Sequence, residues 1–287
     1  MPSPQTSPQS STQSSAQSSP QASASAPARR SRPAPMRAEV RRVRQLSERM
    51  RRVVVGGGEL ERFSWPGPAS HLKLMLPEPG ERAPRLPTPG PDGQVQFDRS
   101  TLTMRTYTPR AWNPETAELT IDVFLHGDGP ASTWVRQVET GDQVGLSQPR
   151  ASYQPDPAAE WLVVAGDETA VPAISTIIEA CAAAPMALPV VLIESDGDDV
   201  DLGLPAGTGA RFVTREPGQP GRSLLTALAA ALPQGDGRVW AAGEAQSIRA
   251  IRGFLRDNRA MAPASIVTRG YWKLGTANHP DHDFGED

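Results

Sequence analysis

Arg105-Thr106-Tyr107-Thr108 and His126-Gly127-Asp128-Gly129-Pro130-Ala131-Ser132 are the two blocks of sequence that decide the fold. The run between them alternates: Leu119, Ile121, Val123 and Leu125 share one parity, whereas Thr120, Asp122 and His126 share the other, which Phe124 interrupts. This period of two predicts a half-buried strand. The glycines and the proline of the second block are expected to end that strand, and a short helix is predicted to begin near Ser132.

An Arg-x-Tyr-Thr strand followed by a second strand, a glycine turn and a helix start offers the groups that hold a flavin. The guanidinium of Arg105 can form two parallel hydrogen bonds with a diphosphate. Tyr107 offers a flat face to the ring system and a hydroxyl to its polar atoms. The helix N-terminus adds backbone N–H groups that favour phosphate. The sequence therefore predicts a flavin site.

Arg105-Thr106-Tyr107-Thr108 resembles the Arg-x-Tyr-Thr/Ser flavin motif of the ferredoxin-reductase superfamily. The block from His126 to Ser132, with Trp134 after it, resembles a narrower group, the siderophore-interacting proteins, which are flavin-dependent ferric-siderophore reductases. Three further segments resemble the same family: Ala165-Gly166-Asp167-Glu168-Thr169-Ala170, Ala242-Gly243-Glu244-Ala245 and Gly270-Tyr271-Trp272-Lys273. The resemblance extends over about residues 38–275, with the motifs in order and at consistent spacing.

The resemblance implies a β + α/β fold: an N-terminal antiparallel FAD-binding β-barrel followed by a C-terminal α/β domain with a parallel sheet, as in ferredoxin–NADP reductase. The second half agrees, because buried strands alternate there with helical spacing. Predicted strands are 71–76, 102–107 and 141–146, then 161–165, 190–193, 211–214, 239–243 and 265–269; predicted helices are 169–182, 222–232 and 245–255. The predicted domains are a disordered Ser/Gln/Pro-rich tail (1–35), the FAD-binding barrel (36–153), an α/β nicotinamide-nucleotide-binding-like, siderophore-interacting domain (154–276) and an acidic tail (277–287).

Composition argues against other classes of protein. The net charge of −3 disfavours a dedicated nucleic-acid binder. The arginine-dense stretch 29–52 is interpreted as the solvated face of two barrel strands rather than a nucleic-acid or membrane patch. Cys181 is the only cysteine, which leaves no internal disulfide and fits a reducing cytoplasm. No apolar run approaches the ~18 residues of a membrane helix, so neither nucleic acid nor membrane is an expected partner.

The resemblance implies cofactor contacts on several segments of the chain. They are Arg105, Thr106, Tyr107, Thr108, His126, Asp128, Ala131, Ser132, Asp167, Thr169, Ala170 and Trp272. Residue type alone also permits a structural histidine at His126, an acidic helix cap at Asp167 and interface packing at Trp272. Asp128 is interpreted as a residue that orients the glycine turn. No catalytic acid, base or nucleophile and no metal ligand is assigned, because a flavin supplies the redox chemistry.

Lysine is rare in this chain. Of its 29 lysine and arginine residues, only Lys73 and Lys273 are lysine. The resemblance implies a shallow basic pocket over the flavin for a negatively charged ferric complex, and both lysines lie in segments that resemble the pocket-forming ones. One domain interface is expected to bring them together as substrate-binding residues. The alternative is two exposed lysines without a shared role.

The function that the resemblance implies is FAD-dependent reduction of ferric-siderophore complexes, from Fe(III) to Fe(II), with release of iron in the cytoplasm. The expected electron donor is NADH, NADPH or reduced ferredoxin. Asp167 and Glu168 stand where relatives carry a glycine-rich turn for the nicotinamide cofactor, and carboxylates there repel a diphosphate. The alternatives are a general NAD(P)H:flavin oxidoreductase of the same superfamily and a non-catalytic protein that binds an iron chelate.

Overall fold

A computed structural model describes residues 33–87, 90, 95, 102–150, 152–197 and 203–277. The predicted N-terminal tail up to residue 32 and the predicted acidic tail after Ala277 lie outside the described residues, so both stay predictions. The described chain contains no helix that is long and apolar enough to cross a bilayer.

The first half of the described chain folds into one antiparallel sheet of seven strands. They are β1 (Met36–Ser47), β2 (Met50–Gly56), β3 (Leu72–Leu76), β4 (Thr103–Tyr107), β5 (Pro109–Asn113), β6 (Glu118–Phe124) and β7 (Gln143–Leu146). Their order across the sheet is β4-β3-β7-β1-β2-β6-β5. Apolar side chains of the strands, among them Val40, Leu74 and Ile121, form one core inside the curled sheet. The predicted antiparallel barrel is confirmed.

The two ends of this sheet, β4 and β5, are consecutive in sequence and are joined through Thr108 alone. The chain thus passes directly from one end of the sheet to the other, which curls the sheet into an open barrel. The Arg-x-Tyr-Thr motif lies at this seam between β4 and β5. No pattern in the sequence predicted β5, because its terminal residues, Pro109 and Asn113, are poor strand formers.

One helix, α1 (Pro130–Gln137), follows β6 and packs Ala131 and Val135 into the barrel core. Pro130 is tolerated because the first turn of a helix does not use its own N–H groups. Gly127 has a φ of +50°, a left-handed conformation that glycine adopts without strain. The helix predicted near Ser132 is confirmed, with its start at Pro130.

The second half of the described chain is a parallel sheet with helices on both faces. The strands are β8 (Trp161–Asp167), β9 (Val190–Ser195), β10 (Arg211–Thr214), β11 (Gly237–Glu244) and β12 (Ile266–Trp272), and the helices are α2 (Val171–Ala183), α3 (Arg222–Ala231) and α4 (Ala245–Asp257). The strand order is β10-β9-β8-β11-β12. One apolar cluster contains α2, and another on the opposite face contains α3 and α4. The predicted α/β domain is confirmed, and its last strand continues beyond Arg269 to Trp272.

The outer face of β2 and β6 packs against α2. Met50 and Phe124 belong to the same apolar cluster as Ile174 of α2. Arg110 of β5 also reaches this helix, where its two terminal nitrogens contact the Glu179 carboxylate at 2.9 and 2.7 Å. The barrel and the α/β domain therefore share an apolar core as well as polar contacts.

Asp122 corrects the expectation of a half-buried β6. It lies on the polar parity of the strand, yet its relative exposure is only 3%. Arg52 and Arg110 cover it from that side, and Arg110 continues to α2. The strand is buried on both faces here because a second domain covers the face that a lone barrel would expose to solvent.

Candidate functional site

The Arg-x-Tyr-Thr motif is divided between the two faces of β4. Arg105 and Tyr107 lie opposite leucines of β3 that belong to the barrel core. Thr106 lies opposite Lys73, whose Nζ donates to Thr106 Oγ1 over 2.8 Å. Because directly opposite residues share a face, Arg105 and Tyr107 form one group and Thr106 with Lys73 forms another.

The seam presents a positive charge and an aromatic ring side by side. Arg105 is half-buried, and its Nη1 donates to the Met104 carbonyl at 2.8 Å. Tyr107 is half-buried and packs against the barrel core, where burial raises the pKa of its hydroxyl. The phenol is therefore neutral at physiological pH and can donate a hydrogen bond. Thr108, at the end of the motif, is buried.

The glycine turn is closed by the hydroxyl of Ser132. Ser132 Oγ accepts from the His126 N–H at 3.2 Å and donates to the His126 carbonyl at 3.0 Å. Ser132 is 3% exposed and Ala131 is 8% exposed. The hydroxyl of Ser132 is thus engaged within the turn, so a phosphate contact at this residue would come from its backbone N–H.

Asp128 lies at the outer edge of the same turn. Its side chain is 98% exposed and forms a 3.3 Å ion pair with Arg136, which also donates to the Gly127 carbonyl at 2.9 Å. Asp128 therefore holds Arg136 over the turn, in keeping with an orienting role. The first turn of α1 contains no acidic residue, so its N-terminus keeps its attraction for an anion.

His126 is held beside Phe124, with the ring centroids 6.4 Å apart and the planes 23° from parallel. The guanidinium of Arg49 lies over the Phe124 ring, 4.7 Å from its centroid. The pKa of His126 is lowered, first by burial and then by the positive charges of Arg49 and Arg136. Its imidazole is therefore neutral at pH 7, and one ring nitrogen can accept a hydrogen bond.

Asp167, at the end of β8, uses both carboxylate oxygens. Oδ1 accepts from the Thr169 N–H at 2.9 Å and from the Thr169 hydroxyl at 2.5 Å, and Oδ2 accepts from the Trp272 indole N–H at 2.7 Å. Asp167 is 4% exposed, and burial is the main cause that raises its pKa to about 6. It thus caps the short 3-10 turn Glu168–Ala170 before α2 and also ties that turn to β12.

Ala170 packs inside the α/β domain. It is fully buried, and a Cβ built on Gly166 would lie 2.5 Å from the Ala170 Cβ. The methyl group fills the space against β8. A cofactor contact of Ala170 stays a prediction.

Three strands of the parallel sheet carry, at or next to their last residue, a carboxylate that caps the next helical segment. Asp167 does so after β8. Glu194 of β9 accepts from two backbone N–H groups at the start of α3, at 2.6 and 3.2 Å. Glu244 of β11 accepts from a backbone N–H at the start of α4 at 2.9 Å. Helix N-termini are the usual sites for phosphate, and here side-chain carboxylates of the protein occupy them.

Arg215, just after β10, binds the acidic groups at this edge of the sheet. It contacts Glu168, Glu194 at 3.2 Å and Asp196 at 2.7 Å. Arg49 approaches Glu168 at 3.8 Å from the barrel side. The predicted repulsion between Glu168 and a diphosphate is therefore reduced by Arg215, but that arginine is itself fully engaged with carboxylates.

The end of β12 meets the seam of the barrel. The Tyr271 hydroxyl lies beside the Thr108 side chain, which lowers the pKa of Tyr271 against the larger, opposite effect of burial. Lys273 follows two residues later and is half-buried. Lys73 donates a hydrogen bond to Thr106 of the same motif. The expectation that Lys73 and Lys273 form one substrate site stays a prediction.

Sequence reasoning missed Glu194, Glu244, Arg215 and Tyr271. The two glutamates carried a usable signal, because each stands after a predicted strand and Glu244 directly precedes a helical pattern, a position typical of a cap. Tyr271 lies in a segment that resembles the family, but its partner Thr108 is distant in sequence. Arg215 carried no signal, because only the fold brings it to its carboxylate partners.

The groups at the seam and the glycine turn fit FAD. Arg105 would supply a cation for the diphosphate, Tyr107 an aromatic face, and the N-terminus of α1 backbone donors. Gly129, directly before α1, leaves open space, because a Cβ built there meets no described atom within 4 Å. An anion can therefore approach the helix start closely.

Comparison with known proteins finds a family match for each half of the chain. Residues 39–153 match the family model of the siderophore-interacting FAD-binding domain, and residues 159–275 match that of siderophore-interacting protein. The ferric vibriobactin reductase of Vibrio cholerae is 31% identical over 249 residues, which cover 84% of this chain and 90% of that protein.

Solved structures agree with the sequence matches. A siderophore utilization protein from T. fusca has a TM-score of 0.74 and 30% identity, and the match covers 86% of this chain and 96% of that chain. The siderophore-interacting protein SipS from Aeromonas hydrophila has a TM-score of 0.67 and 30% identity, with 85% and 93% covered. The first matched segment contains the antiparallel sheet with its flavin motif, and the second contains the parallel sheet. This chain belongs to the siderophore-interacting protein family, and residues 39–153 are its FAD-binding domain.

Proposed function

We propose that this protein is a flavin-dependent oxidoreductase that reduces Fe(III) in ferric-siderophore complexes to Fe(II). The observation that carries the proposal is the flavin motif at the seam, where Lys73 Nζ donates to Thr106 Oγ1 and Tyr271 of β12 lies beside Thr108. A relative that covers most of the chain is named a ferric vibriobactin reductase. The cofactor is FAD, held noncovalently.

The chemistry needs a one-electron reductant and little from the protein. Siderophores hold Fe(III) with hard oxygen ligands, and these ligands hold Fe(II), a softer ion of lower charge, far less well. FAD, when bound, supplies the redox chemistry by taking up two electrons and releasing them singly. The side chains of the protein bind and orient the cofactor and the iron complex, and no residue is assigned as an acid, base or nucleophile.

The proposed flavin contacts divide by the group they hold. Arg105 pairs with the diphosphate, and Tyr107 lies against the ring system with its neutral hydroxyl available to a polar atom. The backbone N–H groups of Ala131 and Ser132, at the start of α1, donate hydrogen bonds to phosphate oxygens. His126, as a neutral imidazole, accepts a hydrogen bond. Thr106, Thr108, Asp128, Thr169 and Trp272 complete the proposed site.

The proposed substrate contacts are the two lysines. A ferric complex with several negative charges is attracted by positively charged groups that lie close together on one side of the flavin. Lys73 lies on the face of β4 and β3 that also carries Thr106, and Lys273 follows the residues of β12 that contact the seam. Both lysines are half-buried, so an ion pair with the substrate is screened less than one in open water.

The electron donor that we favour is reduced ferredoxin. A pyridine dinucleotide on a parallel sheet places its phosphates at helix N-termini, and here Asp167, Glu194 and Glu244 fill those positions. Displacement of a buried carboxylate by phosphate leaves an uncompensated charge, which is costly. The same geometry disfavours a general NAD(P)H:flavin oxidoreductase. NADH and NADPH are the competing donors in the test below.

The experiment is an anaerobic titration of the purified, flavin-containing protein. Its visible spectrum is recorded before and after addition of reduced ferredoxin, NADH or NADPH, and a ferric siderophore is then added with a chelator that becomes coloured on binding Fe(II). We expect the flavin bands to bleach with ferredoxin and to return as Fe(II) appears. A colourless preparation, or a bleached flavin that the ferric complex does not reoxidise, would support the non-catalytic alternative.

We place the reaction in the cytoplasm. The support for this compartment is the single cysteine of the chain, Cys181, which is buried and forms no disulfide. A reducing environment also keeps released iron in the Fe(II) state that the reaction produces. Detection of the protein in cytoplasmic rather than periplasmic or membrane fractions tests this placement.

A further inference from the structure

The segment Tyr271–Leu274 is anchored to three different parts of the fold. Tyr271 lies beside Thr108 at the barrel seam. The Trp272 indole N–H donates to Asp167 Oδ2 over 2.7 Å. The Leu274 N–H donates to Glu244 Oε1 over 3.2 Å. Lys273 lies between the second and third anchors, so its position follows from theirs.

A bulge in β12 makes these contacts possible. In the ladder with β11, Gly243 pairs with Gly270, but Glu244 pairs with Trp272, so Tyr271 is an extra residue. A bulge re-aims the side chains that follow it. Without the extra residue, Trp272 and Lys273 would exchange faces of the strand, and the indole would lose the carboxylate.

The carboxylate of Asp167 occupies a site that the neighbouring backbone leaves open. Gly243 has a φ of +155°, and a Cβ built on it would lie only 2.7 Å from Asp167 Oδ2. Asp167 itself is 4% exposed. A buried carboxylate is costly to maintain unless its hydrogen bonds compensate, and one of those bonds is directed away from the helix cap to Trp272.

We propose that Asp167 is a positioning residue for substrate binding: its carboxylate holds Trp272 and thereby fixes Lys273 at the junction where the ferric complex binds. This inference rests on the proposed function, because it assigns Lys273 to the iron complex. It also separates Asp167 from the cofactor contacts, since both of its oxygens are committed to protein donors. The helix cap needs only Oδ1, whereas Oδ2 serves the β12 segment.

The charges around Asp167 make this anchor sensitive to pH. Burial disfavours its ionised form, and the adjacent Glu168 does so as well, while Arg215 and the two hydrogen bonds favour it. Tyr271 on β12 is neutral, because burial raises its pKa to about 12. Glu194, which lies opposite Asp167 on β9, is itself paired with Arg215. Protonation near pH 6 converts one acceptor oxygen of Asp167 into a donor, which weakens the anchor.

The test measures steady-state reduction of an anionic ferric catecholate by the flavin-containing protein between about pH 5 and pH 8, across the titration range of Asp167. In the wild type, KM should rise as the pH falls through about 6. Asp167→Asn and Trp272→Phe should each raise KM at neutral pH about tenfold, the value of one charge-assisted hydrogen bond. In both variants KM should become nearly independent of pH over this range, while in Asp167→Asn kcat per bound flavin stays close to wild type.

Matched controls separate the anchor from general effects of the substitutions. Asp156→Asn changes an aspartate in the connector between the two sheets, where Asp156 pairs with Arg238 of β11. Trp112→Phe changes a tryptophan of β5 that packs against Phe63. Both should keep the wild-type KM and its pH dependence. The proposal is overturned if Asp167→Asn retains either the wild-type KM or its rise at low pH.

A second measurement does not depend on turnover. The indole N–H resonance of Trp272, assigned by its loss in Trp272→Phe, should shift with an apparent pKa near 6 in the wild type. The shift should be absent in Asp167→Asn. If this titration is seen but no ferric chelate is reduced, the proposed function fails and the anchor stands. If iron is reduced without the titration, the anchor fails alone.

Discussion

Arg52 on β2 and Asp122 on β6 form a two-point ion pair in which the Nε–Oδ1 and Nη2–Oδ2 distances are both 2.7 Å. The Asp122 side chain is only 1% exposed. On its other side, Arg110 Nε lies 3.9 Å from Asp122 Oδ2, and the terminal nitrogens of Arg110 bind Glu179 of α2. The pair therefore begins a chain of alternating charges that joins the barrel to the α/β domain.

We expect Asp122→Asn to lower the free energy of unfolding by about 3 kcal/mol, because it removes the negative charge between two arginines. This is the low end for a buried pair, since Arg52 is 27% exposed and Arg110 keeps Glu179. The thermal midpoint should fall by roughly 6–12 °C. Arg42→Ala, in an exposed pair with Glu118, should leave the midpoint unchanged. Equal midpoints for Asp122→Asn and the wild type would contradict the role of the chain of charges.

Arg105→Ala should weaken FAD binding. A charge-assisted contact with a diphosphate contributes roughly 1.5–3 kcal/mol, so the Kd for FAD should rise about ten- to a hundredfold. The measurement is fluorescence quenching on addition of FAD to the apoprotein. Arg44→Ala, on the exposed part of β1, is the control and should bind FAD as the wild type does. If Arg105→Ala also keeps wild-type affinity, the diphosphate is held elsewhere.

The double change Lys73→Ala plus Lys273→Ala should raise KM for an anionic ferric chelate about tenfold or more, at roughly 1 kcal/mol for each partly exposed contact. Flavin content should stay the same, and added salt should weaken the wild type more than the variant. A neutral or cationic chelate should show little change. Arg44→Ala plus Arg85→Ala, which removes the same charge elsewhere, is the control. If the double variant keeps its affinity for the anionic chelate, the two lysines do not bind it and arginines are the next candidates.

Asp167→Asn should be more stable than the wild type above pH 6. The pKa of Asp167 is raised to about 6 in the folded state, against ~3.9 in an unfolded chain. The unfolded chain therefore releases the proton first, so the folded state loses stability as the pH rises from about 4 to 6, and the penalty persists above that. It amounts to about 3 kcal/mol, reduced by the hydrogen bond that asparagine loses. The measurement is the difference in thermal midpoint between Asp167→Asn and the wild type, which should be larger at about pH 7.5 than at about pH 5. A difference that is no larger at the higher pH would contradict the prediction.

The first 34 residues should be dispensable for the reaction. Their Ser, Gln, Pro and Ala composition cannot form a packed core, and β1 begins at Met36. A chain that begins at Pro35 should therefore keep its flavin and its turnover with a ferric siderophore. The comparison is the flavin-to-protein absorbance ratio and kcat of the two purified proteins. Loss of both would mean that the removed segment is part of the working fold.

The sequence predicted the architecture because the two halves differ in period. Alternation through Leu119, Ile121 and Val123 identified β6, and continuous apolar runs identified the buried strands of the parallel sheet. The same reasoning missed the burial of Asp122, because a period of two reports which residues share a face and not what covers it. The element that covers Asp122 is α2, and its residue Glu179 stands 57 positions after Asp122 in the sequence.

The candidate site was predicted at the level of segments and less well at the level of atoms. The motif residues Arg105 and Tyr107 reached one face because alternation in β4 requires it. The hydroxyl of Ser132 is engaged by His126, and Ala170 is a packing residue; both facts depend on local closure of a turn. Residue type shows which chemical groups are present, but it does not show which neighbours in the fold form hydrogen bonds or packing contacts with them.

The carboxylates at the helix starts of the parallel sheet give the α/β domain a permanent substitute for a bound ligand. A domain that binds a nucleotide gains stability by mass action, so its folded fraction follows the ligand concentration. Here the anions of Glu194 and Glu244 are part of the chain, and their hydrogen bonds form whenever the domain folds. If, as proposed, these anions exclude a dinucleotide, the melting temperature of this domain should be insensitive to NADH and NADPH, and its lifetime in the cell should not depend on the nucleotide pool.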